Sequence, residues 1–460
     1  MIFALGCLLR LPRWLWGSVW YDEFLTIRTI RLSWQQLFTG DYPKELHPPL
    51  YFLLLKSWTT LFGLTDGAMR SLSVLLSVAG MIVLFLLVRQ LVDRRVALGA
   101  ILLFAVHPAY IHYATEIRMY ALLILCSLGA FLAWTYYSTS AVPKGRHLIT
   151  LAAAVVAALY THYFGVLVAL GIGLFSVARL VVERERRQLM ALAALAVTIV
   201  LYMPWAYSTL WAQSQAYQST YTIAPDKLLT WRVFPALFSA STEVSFARIG
   251  GVGALSLLTV LVGVAMLARS GRRLLALVLT LLLALAACFA FAVSATGVEI
   301  VSRYLLHISV FALILAACAL VRQERTRFAY VPLLLGLATI GAYLGLGIEF
   351  AARSTQIHPN WRMVSAVIAQ NNRPNEPIVI LGWDAIPIQF YLSDHTFLTS
   401  YDLEGELSAT PRSASYILVE SRFDREIALP ANPTVLLDMS QQSIRVLRLD
   451  LPPAAMSLRR

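Results

Sequence analysis

The sequence predicts an α-helical polytopic membrane protein of about eleven spans, ending in a small α/β domain on the outer side. Three observations predict it. Of 460 residues, 59% are hydrophobic and only 13% are charged, and the mean hydropathy is +0.70. A soluble globular chain carries about a quarter charged residues. Apolar stretches of membrane length alternate with short basic loops, and after residue 349 that pattern gives way to one amphipathic helix and a series of short strands.

A hydrocarbon core of about 30 Å takes roughly 20 residues of helix. By that measure the spans fall near 1–18, 70–90, 96–110, 118–138, 148–161, 163–181, 189–206, 248–268, 273–294, 305–321 and 328–348. The first is odd. Arg10 and Arg13 interrupt it, so either Arg10 lies at the headgroups or the true start lies upstream. A long loop follows, from Trp20-Tyr21-Asp22-Glu23 through an amphipathic stretch (Phe24–Phe38) to His47-Pro48-Pro49, which opens another apolar helix. The block 148–181 is too long for one ordinary span, and Tyr160-Thr161-His162-Tyr163 supplies a polar turn that divides it.

Loop charge tests this arrangement. With the N-terminus inside, the inner loops carry Arg94 and Arg95; Lys144 and Arg146; Arg184, Arg186 and Arg187; Arg269, Arg272 and Arg273; and Arg322, Arg325 and Arg327. All are short and basic, as cytoplasmic loops are. Merging 148–181 into one span would invert everything after it. The same bias accounts for the formal net charge of +12. No basic run is interleaved with aromatics, so nucleic acid is not an expected partner. Cys7, Cys126, Cys288 and Cys318 sit in apolar segments without metal or redox spacing and read as small core residues. Met1–Leu9 lacks the basic flank and cleavage site of a secretory signal.

The chain therefore divides into a membrane domain (1–349) and an outer domain (350–460). In the latter, Trp361–Asn372 reads as an amphipathic helix. Pro377–Trp383, Ser415–Glu420, Thr434–Met439 and Ser443–Asp450 read as strands. Trp361 and Arg362 suit docking rather than substrate contact.

Polar residues that solvation does not explain are the informative ones in a membrane protein. The span centres are almost free of ionisable groups. The unusual residues gather at the outer ends: Asp22, Glu23 and His47; His112, Glu116 and Arg118; His162; and Glu299, Arg303 and His307. The outer loop Tyr217–Lys227, rich in Gln, Ser and Tyr, is a candidate acceptor-side lining. A transporter or lipid flippase, the main alternative, places such groups near mid-membrane. A non-catalytic scaffold gives no reason for one outer layer of acids, histidines and arginines.

Four motifs occur in order: W-Y-D-E with H-P-P-L-Y-F and the later Arg70; H-Y-A-T-E-I-R-M-Y-A-L; S-R-Y-L-L; and N-W-R-M-V-S-A-V-I. As a set they resemble the GT-C membrane glycosyltransferases, and more narrowly glycosyltransferase family 39, the protein O-mannosyltransferases and aminoarabinose transferases. The resemblance covers the whole chain. It implies transfer of one sugar, with inversion, from a polyprenyl-phosphate carrier to a lipid, glycan or protein acceptor. It also implies a site at the outer face of a cell membrane, the bacterial inner membrane for the bacterial relatives, among membrane lipids. The family's acidic base in the first outer loop falls on Asp22, with Glu23 beside it.

The chemistry agrees with those positions. An attacking hydroxyl must lose a proton, and a carboxylate within reach accepts it. A single displacement needs no second carboxylate as nucleophile. The phosphate leaving group needs a cation, and Arg303, next to Tyr304, and Arg118, near Tyr120, suit bidentate binding of its oxygens. Each also has a plain reading. Asp22 and Glu23 suit a helix N-terminus, His47 a helix start before two prolines, and Arg303 and Arg70 headgroup anchors. His162 suits a turn. His112 and Glu116, four apart, share a helix face and suit either a metal, acceptor steering by Glu116, or an ion pair of Glu116 with Arg118. No cofactor is demanded. Some GT-C enzymes use a divalent ion and others do not, and no H-x-H, D-x-D or H-E-x-x-H motif is present.

Overall fold

The computed structural model describes residues 1–40, 47–207, 246–294, 302–320, 330–353, 359–373, 376–381, 385–400, 415–421, 433–439 and 444–450. Glu299, Tyr217–Lys227 and Arg322, Arg325 and Arg327 lie outside them. In chain order the helices are α1 (Ile2–Trp16), α2 (Tyr21–Ile30), α3 (Trp34–Thr39), α4 (Leu50–Phe62), α5 (Asp66–Leu91), α6 (Arg94–Val106), α7 (Pro108–Tyr113) and α8 (Tyr120–Thr139). They continue as α9 (Gly145–Thr161), α10 (Val166–Val182), α11 (Gln188–Trp205), α12 (Phe246–Arg269), α13 (Arg273–Ser294), α14 (Leu306–Ala319), α15 (Tyr330–Arg353), α16 (Trp361–Asn371) and α17 (Ile388–Tyr391). The chain forms two compact units: Met1–Trp14 with Leu32–Ala352, and Leu15–Arg31 with Arg353–Arg460.

The first unit is a helical bundle. Among the described residues, seven helices are long and apolar enough to cross a membrane: α5, α8, α10 with the turn before it, α11, α12, α13 and α15. The apolar helices α4, α9 and Arg303–Ala319 are shorter. The protein is thus a multi-pass membrane protein. Every residue of α14 is buried, which makes it the bundle's central rod. α14 packs against α6, α8, α12 and α13. On α12, Gly263 faces the Leu315 carbonyl of α14 so closely that a Cβ would overlap it, so only glycine fits at that crossing.

Helices occupy the apolar stretches read from the sequence, with two local differences. The stretch 96–110 breaks at His107, where Pro108 starts α7 and the His107 Nδ1 accepts from the Ala109 N–H (3.2 Å). Proline fits a first helical turn but not a helix interior. The amphipathic stretch Phe24–Phe38 is two helices. Ser33 ends the first register by capping α3, its Oγ accepting from the Gln36 N–H while the Gln36 side chain accepts from the Ser33 N–H. The block 148–181 does divide: α9 stops at Thr161 and a single turn, Tyr163–Gly165, leads into α10.

α1 resolves the oddity of its arginines. Gly6, Leu9, Arg10 and Arg13 form its buried face. Arg10 donates to the carbonyls of Gly6 (2.7 Å), Ala105 (3.3 Å) and Tyr110 (3.2 Å). A buried guanidinium needs such partners, and the α6–α7 break supplies them.

The second unit holds a five-stranded sheet of β1 (Ile378–Leu381), β2 (Phe397–Ser400), β3 (Ser415–Ser421), β4 (Thr434–Met439) and β5 (Ile444–Asp450), ordered β2-β1-β3-β5-β4. β1 runs parallel to β2 and β3; β5 runs antiparallel to β3 and β4. α16 buries Trp361, Val364 and Ile368 against Ile378, Ile380, Ile417 and Val446 on one face. The opposite face, with Val379, Tyr416, Leu418 and Leu447, is buried too. Arg448 pairs with Glu376 (3.0 Å) and Arg445 with Glu420 (2.7 Å). The segment before α2 belongs to this unit: the Val19 N–H donates to the Tyr391 hydroxyl (2.9 Å), and Arg362 donates to the Gly17 carbonyl (3.4 Å).

Candidate active site

The second unit carries the two first-loop carboxylates. Glu23 is fully buried and its Oε2 accepts from the Trp20 N–H (3.3 Å), satisfying one of the N-terminal donors of α2. Asp22, half-buried, lies in the same first turn, where a negative charge also suits the helix dipole.

The first unit gathers most of the other sequence-predicted residues. The tight turn after α7 brings Glu116 against α1. Glu116 is fully buried and accepts through Oε1 from Arg13 Nη2 (3.3 Å) and His112 Nε2 (2.8 Å). Arg13 Nη1 donates to the other nitrogen of the same imidazole, Nδ1 (2.6 Å). These bonds define the tautomer: His112 accepts at Nδ1 and carries its proton on Nε2. Burial, then the charges of Arg13, Arg303 and Arg70, hold the imidazole well below its usual range. His112 and Glu116 meet although α7 ends at Tyr113. Glu116 pairs with Arg13 rather than with its chain neighbour Arg118. A guanidinium occupies both His112 and Glu116, so this pair does not suit a divalent cation. Glu116 Oε2 is buried and has no partner among the described residues. Arg70 Nη1, from α5, braces the same turn through the Thr115 carbonyl (2.6 Å).

A second cluster adjoins it. Arg118 is buried and its Nη2 donates to His47 Nδ1 (3.3 Å). The His47 and Tyr304 rings each lie 5.0 Å from the His162 ring, and Tyr120 lies at 6.2 Å. The Arg303 guanidinium sits 6.0 Å from the Tyr304 ring centre, on the turn Ser302–Leu305 that leads into α14. Arg303 acts electrostatically on both His112 and His162, which joins the two clusters into one patch. His47, Arg118, Tyr120, Arg303 and Tyr304 are therefore neighbours of one imidazole, though they come from three places in the chain.

Several known proteins share this architecture. The family model described as dolichyl-phosphate-mannose-protein mannosyltransferase matches residues 46–208, which carry His47, Glu116, Arg118, Tyr120 and His162. The crystal structure of ArnT from Cupriavidus metallidurans in the apo state is similar over 97% of both chains, with a TM-score of 0.63 and 15% identity. The chain therefore shares the fold of ArnT. The same ArnT bound to undecaprenyl phosphate matches this chain with a TM-score of 0.62 and 16% identity, again over 97% of both chains. The archaeal oligosaccharyltransferase AglB from Archaeoglobus fulgidus, in complex with an inhibitory peptide and a dolichol-phosphate, matches 87% of this chain and 64% of its own (TM-score 0.52, 14% identity). No curated protein sequence matches it.

Arg13 is the member of the patch that sequence reasoning missed. It stood out only as a cation in a short apolar helix. The usable signal was its spacing: Gly6, Arg10 and Arg13 fall on one helical face, so both arginines point the same way. A charge inside an apolar span is by itself a reason to look for a partner.

Proposed function

We propose that this protein transfers one sugar from a polyprenyl-phosphate carrier to a hydroxyl of a lipid, glycan or protein acceptor, at the outer face of the bacterial inner membrane. The observation that carries the reading is the cationic, aromatic-lined patch around Arg118, Arg303 and Tyr304, in a fold whose relative ArnT has been solved with undecaprenyl phosphate. In this reading the loops with Asp22, Glu116, His162 and Arg303, and residues 350–460, face outward, as the basic inner loops favour.

The reaction is a single displacement. The acceptor oxygen bonds to the anomeric carbon as the bond from that carbon to the phosphate oxygen breaks. The electron pair leaves on the phosphate, which goes from a singly charged diester to a more highly charged monoester. Arg303 and Arg118 stabilise that growing charge. Asp22 takes the proton of the attacking hydroxyl. Glu23 holds the first turn of α2 in place. His47 orients Arg118, and Tyr120 and Tyr304 line the donor. Glu116 fixes Arg13 and His112 and steers the acceptor through Oε2.

The test is incubation of the purified protein with a panel of polyprenyl-phosphate sugars, reading release of free polyprenyl phosphate by mass spectrometry. Consumption of one donor is expected, with at least a hundredfold loss in Asp22→Asn at unchanged protein level. Full activity in Asp22→Asn would remove the base assignment. No consumption of any donor in any acceptor mixture would remove the transferase reading.

A further inference from the structure

His162 has no part in the mechanism above, yet its ring and its turn are held by several hydrogen bonds. It ends α9, with its N–H donating to the Ala158 carbonyl (3.0 Å) and its carbonyl accepting from the Gly165 N–H (2.8 Å). Its Nδ1 accepts from the Phe164 N–H (3.1 Å). His307 grips the same turn by donating from Nε2 to the Phe164 carbonyl (2.9 Å). A Cβ on Gly165 would sit 2.5 Å from the Ala158 carbonyl oxygen, so the turn packs directly on the backbone of α9. The ring is thus held from several sides before any ligand arrives.

The bond at Nδ1 determines the chemistry at the other nitrogen. A neutral imidazole that accepts at Nδ1 carries its proton on Nε2. That Nε2 is buried and has no partner among the described residues. An unused donor in a buried place is unfavourable unless something fills it. Burial first, then His47, His307, Arg118 and Arg303, hold the imidazole well below its usual range, so it stays neutral and keeps this tautomer. Among the described residues, the side chains that act on it electrostatically, His47, His307, Arg118 and Arg303, are all bases. The complementary ligand is an anion rich in oxygen.

We propose that His162 binds the carrier's phosphate directly, its Nε2–H donating to a non-bridging phosphate oxygen beside Arg118 and Arg303. This rests on the reading of the patch as the phosphate site. His162 differs from the two arginines in adding direction without charge, because a ring proton fixed by a backbone bond points one way.

The test uses the full chain in detergent, with undecaprenyl phosphate as probe and undecaprenol, which lacks the phosphate, as control. Binding is read by native mass spectrometry and folding by thermal melting. His162→Asn keeps an oxygen where Nδ1 was, so the Phe164 N–H remains satisfied, but it places no donor where Nε2 was. His162→Gln reaches that place with an amide N–H. Expected is a loss of undecaprenyl-phosphate affinity of about tenfold or more in His162→Asn, from a lost hydrogen bond to a charged group. Undecaprenol binding and melting should stay unchanged, and His162→Gln should recover part of the affinity. Wild-type affinity in a folded His162→Asn overturns the proposal. So does an equal loss in both variants with lowered melting, which would mean a purely structural histidine. If the wild-type protein does not prefer the phosphate over the alcohol, the reading of the whole patch fails. If it does, and Arg303→Ala loses the preference while His162→Asn keeps it, only the role of His162 fails.

Discussion

Replacing Glu116 by Gln should destabilise the bundle, and replacing Arg13 as well should restore much of the loss. Glu116 and Arg13 are 0% and 2% exposed, with 3.3 Å between charged atoms. At an effective dielectric of about 20 their attraction is about 5 kcal/mol. Removing one member of a buried pair costs about 3–5 kcal/mol, mainly because the other charge is left buried and uncompensated. Glutamine retains an oxygen for the His112 Nε2–H, so Glu116→Gln should fall at the lower end, about 3 kcal/mol, or roughly 5 °C in melting temperature. Arg13→Met strands a carboxylate and removes the donor to His112 Nδ1, and should cost at least as much. The double variant leaves no net charge behind. It should be more stable than the sum of the single losses by about 1–3 kcal/mol. The assay is a double-mutant cycle of melting in detergent, followed by retention of the monodisperse species on size exclusion. Additive losses, or a Glu116→Gln variant that melts like the parent, would refute the buried-pair reasoning. Transfer activity of the double variant then separates two duties. Recovery with stability would assign Glu116 to holding the patch, and persistent inactivity to contact through Oε2.

Two further outcomes are expected. Stability should fall as pH drops below about 6.5, because His112 and His162 stay neutral in the folded protein but take up protons when it unfolds. The unfolded state then binds more protons, and each such histidine contributes a slope of about 1.4 kcal/mol per pH unit; melting temperatures that stay flat from pH 7 to pH 5 would show these rings charged in the fold. A reporter fused after Arg460 should be active only outside the cytoplasm, and a cytoplasmic signal would break the proposed orientation.

The two kinds of site residue were not equally legible in the sequence. Helix positions follow from length and hydropathy, and even the break at Thr161–Val166 was visible as a polar interruption. Arg118, Arg303, Tyr120 and His47 were visible as polar residues at helix ends. Their convergence on His162 was not, because it depends on how α8, α9 and α14 meet, and no local pattern encodes that. The pairing of Glu116 with Arg13, 103 positions away, was hidden for the same reason. In the second unit β2 escaped notice: Phe397–Ser400 is a four-residue edge strand, with too little alternation to register. β1, continuously apolar at the centre of the sheet, was plain.

The buried arginines of α1 also bear on how the chain is made. An arginine at the centre of an inserting helix opposes insertion by about 2.5–3.5 kcal/mol, and Arg13, in the last turn of α1, adds to the cost of Arg10. Their acceptors are the carbonyls of Ala105 and Tyr110 and the side chains of His112 and Glu116, about a hundred residues later in synthesis. α1 is therefore a poor membrane segment while it is alone beside the translocon. It becomes a good one once α6 and α7 have emerged to receive it. α1 should thus settle late, and the contacts of Arg13 with His112 and Glu116 form in the same event that seats it.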